Sequence, residues 1–166
     1  MTWSALLVFA LALGVAAGSP GPSIAALVAR VLTSGVREVL PFLAAMWIGE
    51  IVWLTLTVTG LAVVAQTFHG LFVLLKLAGV LYLLWLAWQM WHAPATPPDA
   101  ALPAAQRPWR MFLAGLLVTL GNPKIMVFYL ALLPTLIDLH GVGLAAWAEL
   151  VATMLVVLAA IDLAWA

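Results

Sequence analysis

The chain alternates long apolar runs with short polar or proline-rich stretches. Each run contains at least the roughly 20 residues that an α-helix needs to cross a bilayer core of about 30 Å. An all-α fold, a polytopic bundle of transmembrane helices, is therefore predicted. The five predicted spans cover about 3–33, 39–66, 71–91, 109–136 and 144 to the end.

Helix breakers interrupt two of these spans, Ser19-Pro20-Gly21-Pro22 in the first and Gly121-Asn122-Pro123-Lys124 in the fourth. Proline has no backbone N–H, so the carbonyl four residues before it loses its helical partner. At membrane depth such a break is tolerated only where protein or a water-filled cavity satisfies the freed groups. Interrupted spans at matching places in two halves of a chain point to a transporter's binding site, whereas a simple proline kink is the alternative for either break alone.

Five of the ten prolines lie in the stretch 93–108, which divides the chain into a first half, 1–92, and an incomplete second half, 109–166. Arginines flank the first and third connections between spans. The excess of positive residues on the cytoplasmic side places this proline-rich linker in the cytoplasm. Because three spans precede the linker, the second half would enter the membrane in the opposite orientation. The pattern predicts an inverted 3+3 repeat without its last span, in which the two broken helices correspond.

Composition supports the membrane assignment and narrows the chemistry. Hydrophobic residues make up 67% of the chain and charged residues 7%, against about half and a quarter in soluble domains. The formal net charge is +0, so no basic surface for nucleic acid is expected. There is no cysteine and the three histidines lie apart near turns, so we expect neither a metal nor another cofactor. The serines of the first break have no histidine at their depth, so an enzyme is not expected.

Four ionisable residues lie inside spans: Glu50, Lys76, Lys124 and Asp162. A charge at the centre of a membrane helix costs roughly 2.5–3.5 kcal/mol, so such residues favour a functional role. Glu50 and Asp162 are predicted to load and release a proton, and Lys76 lies close enough to the outer surface to reach it. Ion pairing between helices, without further function, is the alternative. Trp47 is predicted to pack in the interior, with lining of a pocket as the alternative.

The two breaks predict one shared substrate site. Free N–H groups at the half-helix starts after Pro22 and Pro123 would bind a carboxylate, together with Lys124. Carbonyls freed by the prolines, with Glu50 or Asp162, would bind an ammonium group. The axes of the broken helices should then lie within about 8–10 Å of each other. The predicted substrate-binding residues are Ser19, Pro20, Gly21, Pro22, Asn122, Pro123 and Lys124, and the predicted proton-coupling residues are Glu50, Lys76 and Asp162.

Several segments, in this order, resemble the signature segments of the LysE/RhtB family of amino-acid exporters. They are the two breaks, Lys76-Leu77-Ala78-Gly79-Val80-Leu81-Tyr82-Leu83, Phe128-Tyr129-Leu130-Ala131-Leu132-Leu133-Pro134 and the pair Asp162 and Trp165. The resemblance implies a multi-pass transporter of the inner membrane that exports amino acids or related small zwitterions, driven by the proton gradient.

The chain departs from this family in two places. Thr135-Leu136 stands where Gln-Phe is usual, and the chain stops at Ala166, inside the fifth span. An inactive or truncated membrane fragment, or a scaffold without transport, is therefore the alternative function. The partners expected are an amino-acid substrate and the lipid bilayer, with a homodimer left open and the particular amino acid undetermined.

Overall fold

A computed structural model describes residues 1–60, 88, 107–139 and 142–166. Every regular element in these ranges is helical, which confirms the all-α class. The third predicted span (apart from Trp88), Lys76 and the linker up to residue 106 lie outside the described residues, so the repeat design remains a prediction. The helices are α1 (Trp3–Gly18), α2 (Pro22–Ser34), α3 (Val36–Val58), α4 (Pro108–Leu120), α5 (Pro123–Leu136) and α6 (Leu144–Trp165).

Two of these helices are long and apolar enough to cross a membrane unbroken, α3 and α6. The pairs α1–α2 and α4–α5 reach the same length only together, and they bend by 59° and 47° at their breaks. Counting each bent pair as one span gives up to four candidate spans in the described ranges, at the predicted places. In the second predicted span α3 ends at Val58, and Gly60 follows with a φ of +78°, a conformation that glycine adopts without strain. The rest of that span, 61–66, lies outside the described residues.

Both breaks are complete helix ends followed by a new start. After α1 ends, Gly21 precedes Pro22, which is the first residue of α2. After α4 ends, the Asn122 side chain accepts a hydrogen bond from the Lys124 N–H at 3.0 Å, and Pro123 is the first residue of α5. Proline suits this position because the N–H that it lacks has no helical partner there. The Asn122 side chain therefore caps the start of α5.

Small residues bring α3 and α4 into close contact. A methyl group added at Gly49 would lie 2.8 Å from the Thr119 Cγ2, and one added at Gly115 would overlap the carbonyl oxygen of Phe42. Glycines spaced to lie on the contact face allow two membrane helices to approach backbone to backbone. This contact fixes α4, which leads into the second break, against α3, which carries Glu50.

A π-helical turn, Phe128–Leu132, interrupts α5. In this wider register the Tyr129 carbonyl would pair with residue 134, but Pro134 has no N–H to donate. The Thr57 hydroxyl of α3 lies 3.2 Å from that carbonyl and shares its one hydrogen between it and the Trp53 carbonyl of its own helix, at 2.9 Å. The turn therefore attaches α5 to α3 beside the buried side chains of Phe128 and Tyr129.

Candidate functional site

A cavity of about 50 Å³ lies where α1, α2, α3, α5 and α6 meet. At about 10–15 Å³ for each water, it has room for a few water molecules. Its wall is apolar on the side of α1 and carries polar side chains elsewhere. These side chains are Ser23, Trp47, Glu50, Asn122, Lys124, Tyr129 and Asp162.

Helical spacing places these side chains on common faces. Trp47 and Glu50 are three residues apart on α3, so both project from the same side of that helix. Tyr129 follows Asn122 by seven residues along the start of α5, which is about two helical turns. Asp162 projects from α6 and completes the polar wall.

Two hydrogen bonds join the breaks directly. The Asn122 side-chain amide donates to the Ser23 hydroxyl at 2.7 Å, and the Lys124 ammonium donates to the Ser19 carbonyl at 2.5 Å. A methyl group added at Gly21 would lie 3.3 Å from the Lys124 Cδ, so the lysine side chain passes over this glycine. The predicted approach of the two breaks is thus confirmed.

The two carboxylates of the cavity have different surroundings. Asp162 is 2% exposed, and its Oδ2 accepts a hydrogen bond from the Trp47 indole N–H at 2.8 Å. Glu50 is 7% exposed, and its Oε2 has no hydrogen-bond partner. The Tyr129 hydroxyl lies beside the Glu50 carboxylate and interacts with it, although no hydrogen bond of good geometry joins the two groups. Unpartnered buried polar atoms are uncommon in proteins, so this part of the wall is open to a ligand or water.

Charges of both signs meet in this cavity without forming ion pairs. Lys124 faces Glu50 and Asp162, but its ammonium binds the Ser19 carbonyl. An ion pair is seen away from the cavity, between the Met1 amino group and Glu149 at 2.7 Å. Among these three cavity residues, the alternative of purely structural ion pairing finds no support.

The predicted site residues take different places. Gly21, Glu50, Asn122, Lys124 and Asp162 line the cavity. Ser19 contributes its carbonyl to the contact between the breaks, whereas the three prolines (Pro20, Pro22 and Pro123) are not lining residues and act on the course of the backbone. Lys76 lies outside the described residues.

Two of the carbonyls freed by the prolines accept hydrogen bonds within the breaks. The Ala16 carbonyl, which Pro20 leaves without a helical donor, accepts a hydrogen bond from the Ser19 hydroxyl at 3.0 Å. The Thr119 carbonyl accepts from the Asn122 N–H at 3.2 Å. Each break therefore satisfies these carbonyls locally, and the negative side of the cavity comes from the two carboxylates.

Sequence reasoning missed Ser23 and Tyr129 as lining residues. Trp47 fulfils both the packing prediction and its alternative, because it packs against the buried clusters and its indole N–H also binds Asp162 at the cavity. Its position three residues before an intramembrane glutamate was a usable signal. So was the position of Ser23 directly after Pro22, at the start of a half-helix.

Broken helices that meet at a polar cavity within a helical bundle are a recurrent feature of transporters. The family model described as LysE type translocator matches residues 14–166, and the chain belongs to this family. The resemblance seen in the motifs is thereby confirmed. Members of this family are transporters rather than enzymes.

Three relatives illustrate the similarity. The chain is 30% identical over 122 residues to the leucine efflux protein of Klebsiella pneumoniae, which covers 73% of this chain and 58% of that protein. It is 36% identical over 128 residues to the chemotactic transduction protein ChpE of Pseudomonas aeruginosa, covering 77% and 61%. It is 29% identical over 119 residues to the threonine efflux protein of Escherichia coli, covering 69% and 58%. The matches thus span about three fifths of these relatives. No solved structure is significantly similar to the chain.

Proposed function

We propose that this protein exports amino acids or related small zwitterions across the inner membrane as a multi-pass secondary transporter, coupled to the proton gradient. Its family and the efflux activities named for two relatives support export of this class of substrate. The site would be the cavity between the two helix breaks. The bilayer is the second partner, since α3 and α6 are apolar over lengths that cross it.

The observation that carries the proposal is the meeting of an ammonium and two carboxylates in one buried cavity. A free amino acid carries one carboxylate and one ammonium group, so its site needs a positive and a negative side a few ångströms apart. Lys124 and the start of α5 supply the positive side, because free N–H groups at a helix start favour an anion. Glu50 and Asp162 supply the negative side.

Coupling to protons would use the same carboxylates. A buried carboxylate is costly when charged, so it takes up a proton when no cation neutralises it. Substrate binding and proton binding would then compete for one group, which links the flow of the two. Outward movement of substrate is thereby driven by the inward proton gradient.

The test is flux through purified protein in proteoliposomes. Vesicles loaded with an unlabelled amino acid are diluted into the same labelled compound, and exchange is followed for a panel that includes leucine and threonine. We expect exchange that depends on the protein for at least one member of the panel. An imposed pH gradient should then drive accumulation, and a protonophore should abolish it.

Two results would contradict the proposal in different ways. Well-folded protein without flux for any amino acid would support the alternative of an inactive fragment or a scaffold. Flux that ignores both the pH gradient and the protonophore would leave the exporter standing and remove proton coupling.

A further inference from the structure

The two carboxylates of the cavity differ in a way that the proposed function does not use. Asp162 is held by the Trp47 indole N–H, which donates from one turn before Glu50 on the same helix. Glu50 lacks such a donor at Oε2, although its carboxylate is almost as deeply buried. One helix therefore carries both the open carboxylate and the donor that occupies the other carboxylate.

The buried Oε2 of Glu50, which accepts no hydrogen bond, marks a place where a ligand could supply a donor. Leaving such a group without a hydrogen bond is unfavourable, and more so when the group is charged. The Tyr129 hydroxyl beside it is also buried and makes no hydrogen bond of good geometry, so its oxygen offers a second acceptor at the same point. An ammonium group has three N–H donors, so it can serve both oxygens at once.

The groups that face Glu50 agree with a cation at this point. Lys124 and Tyr129 approach from α5 and Asp162 from α6, whereas α1 and α2 add Ser23 as their polar side chain in the described wall. The Lys124 ammonium is directed to the Ser19 carbonyl of the first break. The positive group therefore lies at the break, and the unpartnered acceptors lie at Glu50 and Tyr129.

We propose that Trp47 assigns separate roles to the two carboxylates, so that Glu50, with Tyr129, binds the ammonium group of the exported amino acid while Asp162 stays occupied by the indole. The proposal rests on the proposed function and deepens it. It orients the substrate, with its ammonium toward α3 and its carboxylate toward Lys124 and the start of α5. It makes Trp47 a positioning residue that acts through Asp162.

The first test compares Glu50→Gln with Asp162→Asn in purified, full-length protein. Binding is measured for L-leucine and for 4-methylpentanoic acid, which is leucine without its ammonium group. Because a hydrogen bond to a charged group contributes about 1.5–3 kcal/mol, the unmodified protein should bind leucine at least about tenfold more tightly than the acid. Glu50→Gln should remove this preference, whereas Asp162→Asn should keep it even if both affinities fall.

The outcome of this comparison separates the two levels of the argument. Three results would overturn the assignment. The preference for leucine over the acid could be lost in Asp162→Asn but not in Glu50→Gln, it could be lost equally in both variants, or it could be absent in the unmodified protein. These binding results are independent of the flux measurement, which tests the proposed function. Absence of flux for every amino acid would remove the proposed function itself.

The second test asks whether Trp47 acts through Asp162. Trp47→Phe removes the indole donor and leaves a buried aspartate free to attract Lys124, so affinity for leucine should fall several-fold. Adding Asp162→Asn to Trp47→Phe removes that unpaired charge and should restore much of the affinity. If Trp47 serves packing alone, the second substitution restores nothing, and the proposal fails. Size-exclusion profiles of each variant check that the fold is kept.

Discussion

At the scale of single residues, Asn122 shows how one side chain serves two helices. Its Oδ1 caps α5 by accepting from the Lys124 N–H, and its amide nitrogen donates to Ser23 at the start of α2. The first contact follows from local sequence, because asparagine before Pro123 is typical of an N-cap. The second contact joins residues 99 positions apart, and no local pattern specifies it.

Replacing Asn122 by leucine should abolish export. The substitution removes a helix cap worth about 1 kcal/mol. It also leaves the buried Ser23 hydroxyl without its donor, at a cost of about 1–3 kcal/mol. Asn122→Asp is the matched control, because its carboxylate can cap α5 and accept a bond from the Ser23 hydroxyl. Flux in proteoliposomes at equal protein content checks the difference, and equal flux in both variants would show that the contact between the breaks is dispensable.

At the scale of elements, the sequence predicts where helices stop but not how they face each other. Proline and glycine act on the backbone of their own segment, so both breaks and the limits of α6 could be read directly. The bond from Trp47 to Asp162 spans 115 positions and depends on how α3 and α6 are rotated about their axes. Apolar residues surround both helices almost evenly in the sequence, so hydrophobic periodicity gave no rotation. For this reason the sequence alone does not show that the indole reaches Asp162.

The contact between α3 and α4 gives a prediction at this scale. Gly115→Ala should lower the thermal stability of the purified protein, because the added methyl group overlaps the Phe42 carbonyl and the helices must separate. Overpacking of this kind costs about 1–3 kcal/mol. Gly14→Ala in α1 is the control, since nothing lies within 4 Å of its added carbon. A melting temperature that falls equally in both variants would show that the close crossing does not stabilise the bundle.

At the scale of the whole molecule, the two bent pairs suggest related halves. Each pair ends one helix and begins the next with proline, and the bends of 59° and 47° are of similar size. Similar halves of opposite orientation would require an odd number of spans before the linker. The number of spans before the linker depends on residues between 60 and 107. The most direct test is therefore to determine on which side of the membrane the linker lies.

A single cysteine can locate the linker, because the natural chain contains none. Ala100→Cys should resist a membrane-impermeant thiol reagent in intact cells and react after lysis. The reason is the arginines on either side of the first and third connections, which favour the cytoplasmic face. Labelling of intact cells would reverse the topology and remove the inverted repeat. A cysteine at His69 in the second connection, which the same topology places outside, is the positive control.

The π-helical turn of α5 has a consequence for how the cavity wall can move. A π-helical turn contains one more residue per hydrogen-bonded loop than an α-helical turn. The helix α5 would therefore become longer between Asn122 and its end if this turn became α-helical. If the turn tightened into α-helical geometry by one position, the residues beyond it would rotate by about 100° and advance by about 1.5 Å relative to Asn122. The Thr57 hydroxyl, which holds the Tyr129 carbonyl in the wide form, opposes that step. Such a step would change the register of the end of α5 relative to Asn122 and Lys124, which line the cavity before the turn.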